Sequence, residues 1–168
     1  MEVQIIKNNN KLTSYFAGAM ESVSDQGLSW RQKYKKILTQ LLDINCVLPN
    51  DYDRDLIANY EEFKKLKKED FEGFKIVMKT IINVDLASVY NSDFIIIKWD
   101  GELMCGTYGE AQAAFLKDIP VYLVTSVKQE NIPSWFLGCI TKLFVTDIDL
   151  FEYLIDQYPE FLMSVNNL

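Results

Sequence analysis

Asp93-Phe94-Ile95-Ile96-Ile97-Lys98, then Trp99-Asp100-Gly101-Glu102-Leu103-Met104-Cys105, then Gly106-Thr107-Tyr108-Gly109-Glu110 is the run that decides the fold. Its first six residues are apolar and β-branched at the centre, too short for a helix, and read as a buried strand. The next seven are a loop, and a helix opens at Gly106. A second apolar run, Pro120-Val121-Tyr122-Leu123-Val124-Thr125, is the following buried strand. Upstream, a long helix over about Phe71 to Asn91 carries apolar residues at Phe74, Val77, Met78, Ile81 and Val89. Helix, strand, helix, strand is the pattern of a parallel sheet covered by helices. Three carboxylates, Asp85, Asp100 and Glu110, converge on one end of that unit, which reads as the catalytic half of a small enzyme.

Working outward, Leu12 to Ala17 is a first buried strand stopped by Gly18. A loop of small and polar residues follows to Gly27, then a helix from Ser29 to Asp43 with Tyr34, Ile37, Leu38 and Leu41 on one face. Asn45-Cys46-Val47-Leu48 is a second strand. Past Thr125, a short helix spans Trp135 to Ile140, a fifth strand Lys142 to Val145, and a last helix Ile148 to Tyr158, capped by Asp147. Residues 1–11 read as an N-terminal strand or an ordered tail. Residues 49–70 read as a lid or a solvent-facing helix, and their lysines, Lys64 to Lys68, as a solvated face more than a phosphate-steering one.

The expectation is one domain over residues 1–168. It is a flavodoxin-like (Rossmann-like) α/β fold, with helices on both faces of a five-stranded, mainly parallel sheet in the order 2-1-3-4-5. In that order the topological switch lies between strands 1 and 3, and ligands bind beyond their carboxyl ends. Those ends are the loop at Gly18 and the loop from Trp99 to Cys105, where the carboxylates already point.

The bulk numbers narrow the chemistry. The chain has 168 residues, 49% apolar and 24% charged, with a net charge of -7 that argues against a nucleic-acid or anionic-membrane surface. It contains no histidine, which removes His-based triads and His metal sites together. Cys46, Cys105 and Cys139 are widely spaced with no metal pattern and read as free thiols. Met1 to Lys11 lacks the basic-then-apolar order of a signal peptide, and no apolar run approaches membrane-spanning length, so the expected setting is the cytoplasm. Acid–base work falls to carboxylates, Tyr, Lys or Cys.

Asp85 lies on the apolar stripe of its helix, between Ile81 and Val89. A carboxylate there needs a partner, and burial would raise its pKa as a proton donor requires. The alternative is a slightly rotated helix with Asp85 at the stripe's edge, in water. Glu110 has a competing explanation too: Thr107-x-x-Glu110 has the form of a capping box. Gly106 and Gly109 leave room beside it for a ligand. Asp100, at the end of its strand, is on the ligand side, while Asp93 is a turn or cap residue at the other end. Tyr15 is either a core tyrosine or a partner for a catalytic carboxylate. Cys105 reads as a small filler.

Tyr15-Phe16-Ala17-Gly18-Ala19-Met20, then Asp85-Leu86, Asn91-Ser92-Asp93, Asp100 and Gly106-Thr107-Tyr108-Gly109-Glu110 resemble the nucleoside 2-deoxyribosyltransferase superfamily, which includes nucleotide N-glycosidases. The resemblance covers residues 12–125 and implies a flavodoxin-like fold. It further implies Glu110 as the nucleophile that forms a glycosyl-enzyme, Asp85 as proton donor to the leaving base, Asp100 as a second aspartate holding the site, and Tyr15 as the residue orienting the nucleophile. Gly18, Ala19, Met20, Arg31, Gly106 and Thr107 would contact a nucleoside or its 5′-monophosphate. No cofactor and no metal are implied, and a homo-oligomer is expected of the family. The chain departs from the family's nucleotide hydrolases at Glu21, whose charge opposes a 5′-phosphate; Ser22, Ser24, Ser29 and Arg31 are placed to compensate. Rival readings are a hydrolase releasing free base, a glycohydrolase of a larger nucleotide such as NAD, and a non-catalytic nucleotide-binding module.

Overall fold

The Ile95-Ile96-Ile97 run lies at the centre of the sheet and is fully buried on both faces, as a middle strand of a parallel sheet must be. A computed structural model describes residues 11–49, 51 and 60–162. Within them the elements run β1 (Thr13–Gly18), α1 (Leu28–Leu42), β2 (Asn45–Val47), α2 (Tyr60–Glu69), α3 (Phe71–Tyr90), β3 (Phe94–Lys98), α4 (Cys105–Phe115), β4 (Val121–Val124), α5 (Ser134–Gly138), β5 (Lys142–Phe144) and α6 (Asp147–Gln157). All strand pairs are parallel and the order is β2-β1-β3-β4-β5, as the sequence pattern implies. The strand or ordered tail expected over residues 1–11 lies outside the described residues except for Lys11, as does much of the segment before α2.

Alternate residues of each strand face opposite layers. Tyr15, Ala17, Ile95, Ile97 and Leu123 pack with Val89 of α3 and Ala111 and Ala114 of α4. Phe16, Phe94, Ile96, Tyr122 and Val124 pack with Tyr34, Leu38 and Leu42 of α1 and Leu150 and Leu154 of α6. Each fully buried large apolar side chain is worth roughly 1.5–3 kcal/mol, so a one-residue slip of β1 would be prohibitive. The register sets Gly18 beside Lys98, so β1 and β3 end level. From β1 the chain winds outward to β2, and from β3 it winds the other way to β5, which opens the crevice at those ends.

Two helix starts differ from the expectation. α6 begins at Asp147, and its cap is Thr146, which forms a reciprocal capping box with Asp149. Asp147 is thereby released for other partners. α4 begins at Cys105, with Met104 as N-cap and no side-chain cap bond. Thr107 is then the third helical residue and Glu110 the sixth, beyond reach of the first N–H groups, so the Thr107–Glu110 capping box does not form. Among the described residues no helix is long and apolar enough to cross a membrane.

Candidate active site

A cavity of about 680 Å³, within the range of small-molecule sites, opens beyond the ends of β1 and β3. Gly18, Ala19 and Met20 form one wall and Leu103 to Thr107 another, while Met78, Ile81 and Asp85 of α3 and Phe63 and Lys67 of α2 complete it. Glu110 of α4 faces it from within. The lining is apolar at Met20, Phe63, Met78, Ile81 and Met104, a surface suited to a flat ring. Gly106 has nothing within 4 Å of where a Cβ would stand, so the chain there leaves open space at the wall.

Glu110 is only 9% exposed. A carboxylate so placed is costly without a hydrogen bond, and Tyr15 supplies one: its hydroxyl donates to Glu110 Oε1 at 2.8 Å. Tyr15 is fully buried on β1, whose register against β3 fixes its position. Burial, then the charges of Glu110 and Asp85, then hydrogen bonding to both carboxylates, push the Tyr15 phenol well above its usual range. Tyr15 therefore stays a proton-bearing donor and holds Glu110 in one orientation. Asp85 is half-buried and lines the cavity, consistent with a place on the stripe and not in open water.

The site thus brings Tyr15, Asp85 and Glu110 together with Gly18, Ala19, Met20, Gly106 and Thr107. Asp100 and Arg31 stand apart from the cavity lining. Asp100 is exposed; its Oδ1 accepts from Ser126 N at 3.1 Å and Ser126 Oγ at 2.8 Å, tying the loop after β3 to the loop after β4. Arg31 is fully buried and acts on the main chain. Its Nε donates to Phe16 O, one terminal nitrogen to Gln26 O and the other to Gly18 O, at 2.9–3.1 Å. It also lies over the Trp30 ring. This clamp shapes the loop from Gly18 to Gly27. Gly27 has φ 68°, and a Cβ there would run into the Arg31 guanidinium, so glycine is required on both counts. Asp25 supports the same loop by accepting from Gly27 N and Ser29 N.

Sequence reasoning singled out neither Phe63 nor Asp25, and it read Lys67 chiefly as part of a solvated face on a segment that is a lid or a solvent-facing helix; all three line the cavity. Phe63 and Lys67 are one helical turn apart, on one face of α2, and Phe63 packs on Phe74 of α3 at 5.1 Å. That i, i+4 pairing inside the lysine run was the available signal. Among the described residues no cluster of three or more His, Cys, Asp or Glu suits a metal ion.

No protein-family model matches the sequence, and no curated protein matches it. Solved structures do. A conserved protein from Enterococcus faecalis V583 superposes with a TM-score of 0.62 at 20% identity, over 88% of this chain and 99% of that one. The 2-deoxyribosyltransferase from the psychrotolerant bacterium Bacillus psychrosaccharolyticus, described as a biocatalyst for synthesis of antiviral and antitumoral nucleosides, superposes with a TM-score of 0.58 at 17% identity. That match covers 82% of this chain and 89% of the other. Likeness at this identity is likeness of fold, and the chain has the nucleoside 2-deoxyribosyltransferase-like fold.

Proposed function

We propose that the protein cleaves or transfers at the N-glycosidic bond of a deoxyribonucleoside or its 5′-monophosphate, by a retaining mechanism through a glycosyl-enzyme on Glu110. The observation that carries this is the Tyr15–Glu110 hydrogen bond at the wall of the cavity, with Asp85 on the same lining. A second support is the shared fold with a 2-deoxyribosyltransferase.

In the first step a Glu110 oxygen bonds to the anomeric carbon as the carbon–nitrogen bond breaks, and Asp85 gives a proton to the departing base. Tyr15 acts as a positioning residue, donating to the nucleophile throughout. In the second step an acceptor nitrogen, or water, attacks the anomeric carbon, the ester to Glu110 breaks, and Asp85 takes the acceptor's proton. Asp100 acts at a distance, through the loop it ties to Ser126. Transfer prevails over hydrolysis to the extent that the cavity excludes water from the glycosyl-enzyme.

The test is to incubate the protein with each deoxynucleoside and each monophosphate, with and without a second free base, and follow base by chromatography. Exchange dependent on the acceptor makes it a transferase; release regardless of acceptor makes it a hydrolase. Tight binding of a nucleoside without turnover would replace the proposal by a binding module. Asp85→Asn should slow base departure about 10²–10⁴-fold and remove the limb of the pH–rate profile on which activity falls as the acid deprotonates. An unchanged profile would remove Asp85 from the acid role.

A further inference from the structure

The cavity mouth is bridged by an ion pair. Lys67 Nζ of α2 stands 3.0 Å from Glu21 Oε2 of the loop after β1, and both residues line the cavity. Each side chain is about half exposed, so the pair faces water on one side and the cavity on the other. Among the described lining residues, the carboxyl groups of Glu21, Asp25, Asp85 and Glu110 share the cavity with the single ammonium of Lys67. The loop bearing Glu21 is held in shape by the Arg31 clamp and by Ser22 Oγ donating to Leu103 O at 3.0 Å, so Glu21 is anchored near the opposite wall.

We infer that the Glu21–Lys67 bridge makes this site select an uncharged nucleoside over its 5′-monophosphate. This rests on the function proposed above and fixes the substrate class for it. A phosphate dianion entering the mouth meets Lys67 already neutralised by Glu21. To bind, it must displace Glu21 from Lys67 and leave that carboxylate facing a dianion. A neutral sugar carries no such penalty and accepts or donates hydrogen bonds at the same rim. Glu21 is thus a specificity-determining residue whose charge works against one ligand class, and Lys67 is the partner that holds it across the opening.

The experiment measures equilibrium binding and, separately, turnover of 2′-deoxyadenosine and 2′-deoxyadenosine 5′-monophosphate by the whole chain and by Glu21→Gln and Lys67→Gln. The unaltered protein should bind the nucleoside more tightly. Glu21→Gln should shift the nucleoside-to-monophosphate ratio by roughly fivefold toward the monophosphate, the size of one charge interaction at a solvent-exposed rim. Lys67→Gln should shift it the other way. The preference should also shrink as salt is raised from low ionic strength, because exposed charges are screened. A tighter monophosphate, or a ratio that Glu21→Gln leaves unmoved, would overturn the inference even if both ligands turn over. The expected binding ratios without turnover would uphold it and sink the proposed reaction instead. Binding of neither ligand would overturn both.

Discussion

Among the described residues two tyrosines, each fully buried at its ring, donate to carboxylates on opposite faces of one sheet, and the two pairs have different surroundings. Tyr15 of β1 donates to Glu110 at 2.8 Å; Tyr34 of α1 donates to Asp147 at 2.5 Å. Asp147 also accepts from Lys33 at 2.8 Å and from Lys98 at 2.9 Å. Burial pushes its carboxyl up, but the hydrogen bonds from Lys33, Tyr34 and Lys98 outweigh that and hold it at about 2. This carboxylate is saturated and ties α1, β3 and α6 together. Glu110 accepts from a tyrosine on which Asp85 also acts, and it has a cavity in front of it. The same pair of residue types is a strut where cations complete it and, in the function proposed above, the reactive group where a cavity lies in front of it.

The comparison breaks first at Glu110. Glu110→Ala removes the group proposed to bond the sugar, and turnover should fall by at least about 10³-fold while nucleoside binding and the thermal midpoint change little. A loss of stability with turnover retained would make Glu110 a strut like Asp147. Tyr15→Phe is the next test. It leaves the ring in its packed place and removes one hydrogen bond, so kcat should fall about 10–100-fold, equivalent to roughly 1.4–2.8 kcal/mol at the barrier, with KM little changed. A rise in KM alone would show that Tyr15 serves binding and not the nucleophile.

Much of this arrangement is legible in the sequence, for reasons that differ by residue. The strand order follows from apolar runs such as Ile95-Ile96-Ile97 separated by helical patterns, a signal set by burial on both faces. Asp85 is legible because a carboxylate on an apolar stripe stands out. Arg31 offered the same signal and was not read by it: the buried face of α1 is Arg31, Tyr34, Leu38 and Leu42, at steps of three and four. A guanidinium there had to find buried acceptors, and main-chain carbonyls of the first loop supply them. The pairing of Tyr15 with Glu110 joins residues 95 positions apart and has no local signal; the position of Tyr15 beside the switch allows a carboxylate partner, and only the resemblance to a known family names Glu110. Asp147 looked like a cap because it precedes an apolar helix. Thr146-x-x-Asp149 one residue earlier makes the better box, which leaves Asp147 to tertiary partners.

The other face yields stability effects in place of rate effects. Asp147→Asn keeps the shape and removes the charge that two lysines share, and should cost about 1–3 kcal/mol by denaturant unfolding, with turnover within about threefold of the parent. The sign with pH follows from the lowered carboxyl. A pKa of about 2 in the fold against an ordinary 3.8 means the stabilisation is full above about pH 4 and lost as pH falls toward 2. The gap between parent and variant should therefore close over that interval. A gap that is constant from pH 7 to pH 2 would show that packing, and not the ion pairs, accounts for the loss.

The smallest effect is expected at Tyr34→Phe, the chemical twin of Tyr15→Phe. The ring is fully buried and stands edge-on to Trp30 at 5.3 Å and Phe151 at 5.1 Å, contacts that phenylalanine keeps. Only the hydroxyl is lost, and Asp147 retains both lysines, so the cost should be about 0.5–1.5 kcal/mol with kcat unchanged. Burial, the hydrogen bond to Asp147 and its charge drive the Tyr34 phenol far above its usual range, so it remains a neutral donor at every pH at which the fold is studied. Removing that donor should let the Asp147 carboxyl rise, moving the acid-unfolding midpoint of the variant to higher pH. Measured side by side, the two tyrosine variants separate the pairs: Tyr15→Phe should lower kcat, and Tyr34→Phe should move only the unfolding curve. If Tyr34→Phe lowered kcat as much as Tyr15→Phe does, the two faces of the sheet would be coupled through β1 and β3, and the division between strut and reactive group would fail.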